Sequence, residues 1–184
     1  MGRHHLVLGE LSDYITGQTK VDTHDERARQ TIARLLVDDK GYDRRDITTG
    51  TLLPLTVDGD TGKVRVDFII RLNNRAVMTI VYGPGAIVSR QRPALAVARL
   101  VEPYIIPYAV ISNGREAHIM DSHTGKVLAE GLEAVFSKTE LLDRMDRLTF
   151  QPMPEKRVEK EQRILFCMEV LSERECDEFT CNRC

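Results

Sequence analysis

The chain has 184 residues, 42% hydrophobic and 29% charged, a composition that suits one globular domain with a sizeable core. Its net charge of −2 excludes a global basic field, so any surface for nucleic acid would have to be a local patch. No apolar run approaches the roughly 18 residues of a membrane span, and the N-terminus lacks the long apolar region of a secretory signal. These features predict a cytoplasmic protein without a membrane contact.

The chain begins with a short apolar arm at Leu6–Leu8, and Leu11–Gly17 suggests a turn. A helix is predicted from Thr23 to about Lys40. Thr23 and Glu26 have capping-box spacing, in which the Thr hydroxyl accepts from the N3 amide and the Glu carboxylate reaches back to the cap. Gly41 is a natural end for this helix.

Three extended segments follow the helix, and the residues between them indicate an antiparallel meander. The strands are predicted at Leu52–Val57, Lys63–Leu72 and Arg75–Val81. Asn73 and Asn74 suit a tight turn because Asn tolerates a positive φ. The third strand is almost wholly apolar, which favours a central position buried on both faces.

The next elements alternate between helix and strand. The pattern predicts a helix over 86–104 interrupted at Pro93, a strand at Ile105–Ser112, a hairpin of Ala117–Met120 with Val127–Leu128, and a helix at Thr139–Leu148. This order predicts an α/β fold with a mixed central β-sheet flanked by helices.

A charged helix ends the predicted fold as a C-terminal extension. It is expected at Glu155–Glu175, after a linker rich in proline. Its apolar stripe would consist of Ile164, Leu165, Met168 and Leu171.

Several stretches are unspecific alone but fairly specific in their order and spacing. They are Asp25–Gln30 and Lys40–Tyr42 at the two ends of the first helix, Arg65–Phe68 in a strand, a strand end near Tyr82, and Ala109–Gly114. Over about 22–132 they resemble the N-terminal domain of the type I restriction enzyme R subunit, within the PD-(D/E)xK nuclease superfamily. The resemblance implies a restriction-endonuclease-like domain at 1–150, with the helix and cysteine-containing tail at 151–184.

The resemblance also implies catalytic roles for two carboxylates. Glu26 matches the carboxylate of the first helix, and Asp67 matches the strand Asp. In the family's mechanism such groups gather Mg²⁺, which lowers the pKa of a bound water and stabilises charge on the scissile phosphate. Glu26 has the capping box as an alternative role, and Asp67 could instead hydrogen-bond to a neighbouring loop.

The family's Glu-x-Lys motif is missing from the following strand. Val81 stands in the Glu position and Gly83 in the Lys position, and Ala96-Val97 replaces the Gln of the next helix. Valine offers no metal ligand and glycine offers no charge. The departure predicts a catalytically inactive domain that acts as a nucleic-acid or protein-interaction module.

An active Mg²⁺-dependent DNA endonuclease with a rearranged site is the alternative. It requires that another side chain replace the lost group, and Arg90, Arg92, Arg99 and Glu102 are near enough in sequence to be candidates. Arg90 and Arg92 also form a small basic cluster without acidic neighbours in sequence. They are therefore the predicted contacts for nucleic-acid phosphate.

The C-terminal cysteines suggest a further alternative, a metal-binding or redox-responsive protein. Cys176, Cys181 and Cys184 have C-x4-C-x2-C spacing, which resembles three ligands of an iron–sulfur site. Cys167, on the predicted helix, is a doubtful fourth ligand. Zn or an Fe–S cluster is the expected cofactor of such a site, and an exposed tail is the other interpretation.

Overall fold

A computed structural model describes residues 6–171 of the chain. A small antiparallel hairpin comes first, formed by β1 (Gly9–Ser12) and β2 (Thr19–Asp22). The main sheet has six strands, in the spatial order β3 (Ile47–Val57), β4 (Asp60–Leu72), β5 (Arg75–Tyr82), β6 (Tyr108–Ser112), β7 (Ala117–Asp121) and β8 (Val127–Glu130). Strands β5 and β6 are parallel, and the other neighbouring pairs are antiparallel. The predicted mixed sheet is therefore confirmed.

Helices cover both faces of this sheet. They are α1 (His24–Arg34), α2 (Ile87–Leu100), α3 (Lys138–Arg144) and α4 (Glu155–Leu165). Each face of the sheet has its own hydrophobic core. We call the cluster that includes Ile32 and Leu36 the α1 core, and the cluster that includes Ala96 of α2 and Leu165 of α4 the α2 core. Strands β5 and β6 contribute to both cores, as their continuous apolar sequences predict. None of the helices within residues 6–171 is long and apolar enough to cross a bilayer.

The hairpin of β3 and β4 passes from one core to the other along its length. On β3, Ile47 packs in the α1 core and Leu53 packs in the α2 core, although their spacing of six positions would place both on one face of a flat strand. On β4, Phe68 likewise packs in the α1 core, whereas Val66, two positions earlier, packs in the α2 core. The strong twist of the hairpin therefore lets both faces of the sheet share one pair of strands.

The exchange occurs where Gly50 faces Asp67, between the residue pairs Thr49–Phe68 and Thr51–Val66. Gly50 has a φ of +66°, which only glycine adopts without strain, and it gives β3 an irregular point. Strand β3 begins at Ile47 rather than at the predicted Leu52. The Thr and Gly residues at 48–51, which are common in turns, here continue the pairing with β4. Asp67 can thus interrupt an apolar strand, since it lies at the boundary between the cores.

The break that was predicted at Pro93 is absent from helix α2. The helix runs without interruption from Ile87 to Leu100, with Pro93 buried inside it. The missing N–H leaves one carbonyl without its helical donor, and the buried proline ring lies close to Asp67 and Leu165. The following strand begins at Tyr108 instead of Ile105.

Wide π-type turns extend two helices and alter the faces that they bury. One follows α1 at Leu35–Asp39, and the other follows α4 at Phe166–Leu171. Because a π turn advances the chain less per residue around the axis, the buried side chains after α4 are Phe166 and Val170, while Met168 is exposed. The predicted stripe is therefore wrong at Met168; the side chain of Leu171 and the residues after it lie outside the described part.

Two of the stretches that carry the family resemblance touch each other. A Cβ added at Gly114, after β6, would lie 3.0 Å from Cβ of Ala28 on α1. Gly114 also has a φ of +85°. The Asn-Gly turn therefore lets α1 approach the end of β6, and this contact fixes the position of α1 over the sheet.

Candidate functional site

Asp67 is held by three donors from three different elements. Its Oδ1 accepts from Nε of Arg29 on α1 at 2.7 Å and from Nε of Arg65 on β4 at 3.1 Å. Its Oδ2 accepts from the backbone N–H of Tyr82 at 2.7 Å. The carboxylate is only 3% exposed, so these donors supply the stabilisation that water would otherwise give.

Arg29 connects the two carboxylates that the resemblance singled out. Its Nη1 lies 3.6 Å from Oε2 of Glu26, while its Nε bonds to Asp67. Its guanidinium also lies over the ring of Tyr82, 5.1 Å from the centroid. Burial lowers the pKa of Arg29, but the nearby carboxylates of Asp67, Glu26 and Asp25 outweigh burial and raise it above its ordinary value.

Glu26 faces the interior instead of capping its helix. Thr23 does accept from the Glu26 backbone N–H at 3.1 Å, as predicted. The Glu26 carboxylate, however, accepts from Nε2 of Gln30 at 2.8 Å and lies 3.6 Å from Nζ of Lys20. The prediction of a full capping box is therefore wrong, because the Glu26 side chain turns away from the cap and joins a buried polar network with Gln30, one helical turn later.

Strand β5 contributes no carboxylate at the positions that the family's motif would use. Val81 lies beside Asp67 in the same cleft. A Cβ at Gly83 would lie 3.2 Å from Ile111 Cδ1 and 3.3 Å from Arg90 Cγ, so a longer side chain there would crowd its neighbours. The end of β5 instead supplies the backbone N–H of Tyr82 to Asp67.

The Tyr82 hydroxyl contacts the first turn of α1. It donates to Oδ1 of Asp25 at 2.9 Å. Burial, followed by the hydrogen bond to Asp25, raises the Tyr82 pKa to about 12. Tyr82 is therefore a neutral phenol that links β5 to the first turn of α1, and at neutral pH it is a poor general base.

A cleft of about 140 Å³ opens beside Asp67. Its lining combines three cationic side chains, two carboxylates and an apolar floor: Arg29, Lys63, Val64, Arg65, Asp67, Val81, Tyr82, Pro93, Val97, Leu165 and Glu169. Arg65 is 43% exposed, so its guanidinium reaches the mouth of the cleft. The cationic lining suits an anionic ligand better than a cation.

The side chains around Asp67 do not fit Mg²⁺. A divalent cation needs several oxygen ligands with free lone pairs, whereas two guanidinium groups and a backbone N–H already take three of the roughly four acceptor positions of the Asp67 carboxylate. Within residues 6–171 no group of three or more His, Cys, Asp or Glu side chains is placed to hold a metal ion. The cation at this position is the protein's own arginine.

Arg90 and Arg92 have acidic partners that the local sequence does not reveal. Nη1 of Arg90 lies 3.2 Å from Oε1 of Glu169, and Nη1 of Arg92 lies 2.6 Å from Oε2 of Glu161. Both carboxylates come from α4 and the π turn that follows it. The two arginines thus lack acidic neighbours in sequence but have them in the folded chain, and their nucleic-acid role stays a prediction.

The other candidates for a rearranged site make contacts elsewhere. Arg99 donates from Nη1 to Oε1 of Glu161 at 2.9 Å and from Nε to the Ser122 carbonyl at 2.7 Å. Glu102 pairs with Arg71. Neither side chain lines the cleft at Asp67.

Arg29, Arg65 and Lys63 line the site but were not among the predicted site residues. Arg65 precedes Asp67 by two positions on one strand, and Arg29 follows Glu26 by three positions on one helix, so both spacings were readable. Their convergence on Asp67 could not be predicted from these spacings, because α1 and β4 meet only in the folded chain. Cys176, Cys181 and Cys184 lie outside the described residues, and their role as metal ligands stays a prediction. Cys167 is exposed.

Comparison with known proteins gives one result. A family model described as the type I restriction enzyme R protein N terminus matches residues 24–135, which is more than half of the chain. This range contains α1, the six-stranded sheet and α2, and it ends before α3 and α4. No curated protein and no solved structure matches the chain.

Proposed function

Because the chain belongs to the family of type I restriction enzyme R protein N termini, we propose that its domain binds nucleic acid without cutting it. One observation carries both parts of this proposal: Oδ1 of Asp67 accepts from both Arg29 and Arg65. In the family's mechanism this carboxylate would bind a metal ion, whereas here it binds two protein cations, and cations of this kind also attract phosphate.

The absence of cleavage follows from the chemistry of the donors. A guanidinium cannot generate hydroxide from a bound water as a metal ion does, because it has no open coordination position. Val81 adds no carboxylate with which a metal could displace the arginines. Phosphodiester hydrolysis without a metal or a positioned base would lack several kcal/mol of transition-state stabilisation.

The affinity for nucleic acid is supported by the cationic groups at the cleft. Lys63 and Arg65 lie two positions apart on β4, so their side chains project from the same face, and both are exposed. Arginine donates well to phosphate oxygens, and such contacts carry affinity without sequence preference. Since the net charge of the chain is −2, binding would depend on this local patch and would weaken strongly with salt.

The test combines a binding assay with a cleavage assay on the same purified chain. We expect a short fluorescein-labelled duplex to bind at low salt, and we expect supercoiled plasmid to stay intact with Mg²⁺ or Mn²⁺. Arg65→Ala should weaken binding about fivefold and reduce its salt dependence. The matched control Arg147→Ala removes an exposed arginine that does not line the cleft and should change affinity less than about twofold.

Two results would overturn the proposal in different ways. Metal-dependent cleavage that Asp67→Ala abolishes would establish the active nuclease with a rearranged site. A folded chain that binds no nucleic acid at low salt would instead leave a protein partner as the ligand of the domain.

A further inference from the structure

The C-terminal helix packs across the cleft from outside the family-matched residues. The match ends at residue 135, whereas α4 begins at Glu155. Leu165 and Glu169 nevertheless line the same cleft as Asp67. The candidate site is therefore partly closed by a segment that the family model does not include.

The segment is anchored at a buried carboxylate. Glu161 is 1% exposed and pairs with both Arg92 and Arg99 of α2. Arg99 also donates to the Ser122 carbonyl. The pair with Arg92 is a close ion pair without hydrogen-bond geometry, so the hydrogen bond from Arg99 to Glu161 is the contact that holds α4 on α2.

The π turn after α4 seats closely against the start of β4. A Cβ at Gly62 would lie 2.7 Å from Val170 Cγ1 and 3.3 Å from the Phe166 ring. A side chain at Gly62 would therefore have to displace Val170. The turn thus lies directly over the part of β4 that carries Lys63 and Arg65 towards the cleft.

Glu169 differs from Glu161 in exposure. Its carboxylate is 26% exposed and pairs with Nη1 of Arg90 at 3.2 Å, at the rim of the cleft. A partly exposed pair contributes little net stability, so an incoming anion can replace it at small cost. A carboxylate and a phosphate oxygen make the same kind of charge-assisted bond with a guanidinium.

We propose that Glu169 is an internal substitute for phosphate, and that the turn Phe166–Leu171 must move aside before nucleic acid binds Arg90 and the cleft. The inference rests on the proposed function and adds its regulation. Glu161 keeps α4 in place while the turn opens. The C-terminal segment thereby lowers the affinity of the domain in its resting state.

Charge-neutral variants of the full-length chain test this inference. Glu169→Gln should tighten binding of the labelled duplex about five- to tenfold, because Gln pairs weakly with Arg90. Glu159→Gln makes the same charge change at an exposed position on α4 and serves as the control, with less than a twofold effect. Gly62→Ala should also tighten binding, because its methyl group pushes Val170 off β4 without changing any charge.

A second measurement follows the turn itself. Hydrogen exchange at Phe166–Leu171 in the wild-type chain should rise when the duplex is added, while exchange within α2 stays slow. Equal affinity gains in Glu169→Gln and Glu159→Gln, or slower exchange in the turn with duplex bound, would overturn the inference and leave the proposed binding function intact. If no variant binds the duplex, the proposed function and this inference both fail.

Discussion

Nε of Arg29 donates to Oδ1 of Asp67 across 2.7 Å, so a side chain from the first helix neutralises the carboxylate of a central strand. The two residues are 38 positions apart in sequence. This pair ties α1 to β4 at the boundary between the two cores. Its removal should therefore affect stability as well as ligand binding.

Arg29→Ala should lower the free energy of unfolding by about 1–3 kcal/mol, because Asp67 would remain buried with fewer donors. The matched change Arg65→Ala should cost less than about 1 kcal/mol, because Arg65 is more exposed and its bond to Asp67 is longer. Urea unfolding followed by circular dichroism measures both, since the chain has no Trp to report by fluorescence. Equal losses for the two variants would contradict the assignment of Arg29 as the principal partner.

Gly114→Ala should cost about 2–3 kcal/mol, because the positive φ strains alanine and the new methyl group would crowd Ala28. Gly41→Ala is the control: its φ of +72° is similar, but a Cβ there would meet no atom within 4 Å. It should cost only about 1 kcal/mol. The difference between the two variants measures the close approach of α1 to β6, and no difference would mean that α1 shifts freely.

Asp13 should make stability depend on pH in the acidic range. Burial raises its pKa, but hydrogen bonds from Lys20 and Thr16 outweigh burial and lower it from 3.8 to about 2. A depressed pKa in the folded state stabilises the protein above the ordinary pKa, and this contribution is lost as the pH falls from 3.8 towards about 2. Asp13→Asn should therefore be less stable than the wild type by about 1 kcal/mol near neutral pH.

The difference between the Asp13→Asn and wild-type curves should shrink to a small remainder near pH 2, where about half of the wild-type carboxylate has lost its charge. Thermal unfolding at a series of pH values measures this difference. A constant difference across the acidic range would mean that Asp13 acts only through the shape of its side chain.

Glu161→Ala should cost about 3–5 kcal/mol, because it leaves Arg99 buried without its carboxylate. Burial already lowers the pKa of Arg99, and the Glu161 charge is what opposes that effect. The exposed control Glu159→Ala should change stability by less than about 0.5 kcal/mol. A small effect of Glu161→Ala would show that α4 is held by apolar contacts alone.

The family and the fold class were predictable because their signals are local. The apolar runs of β5 and β6 predicted buried strands, and the order of short stretches from Asp25 to Gly114 predicted the family that residues 24–135 match. The contact of Gly114 with Ala28 gives a physical reason for part of that pattern. Sequence spacing records such constraints well when each of them restricts one residue type at one position.

The electrostatics of the site were less predictable because they depend on long-range pairing. Arg90 has no acidic neighbour in sequence, yet Glu169 lies 79 positions away and supplies one. Glu26 fits a capping box by spacing, but a buried network with Gln30 competes successfully for its carboxylate. The hairpin of β1 and β2 was missed for a similar reason, because its short strands lack a clear alternation of apolar residues.

The exchange of faces at Gly50 and Asp67 has a consequence for how the protein unfolds. Strands β3 and β4 supply side chains to the α1 core and to the α2 core, so neither core can open without disturbing the hairpin that completes the other. Two cores connected in this way should melt together, in a single cooperative transition. The twist of one hairpin thus makes the two layers of the domain a single thermodynamic unit.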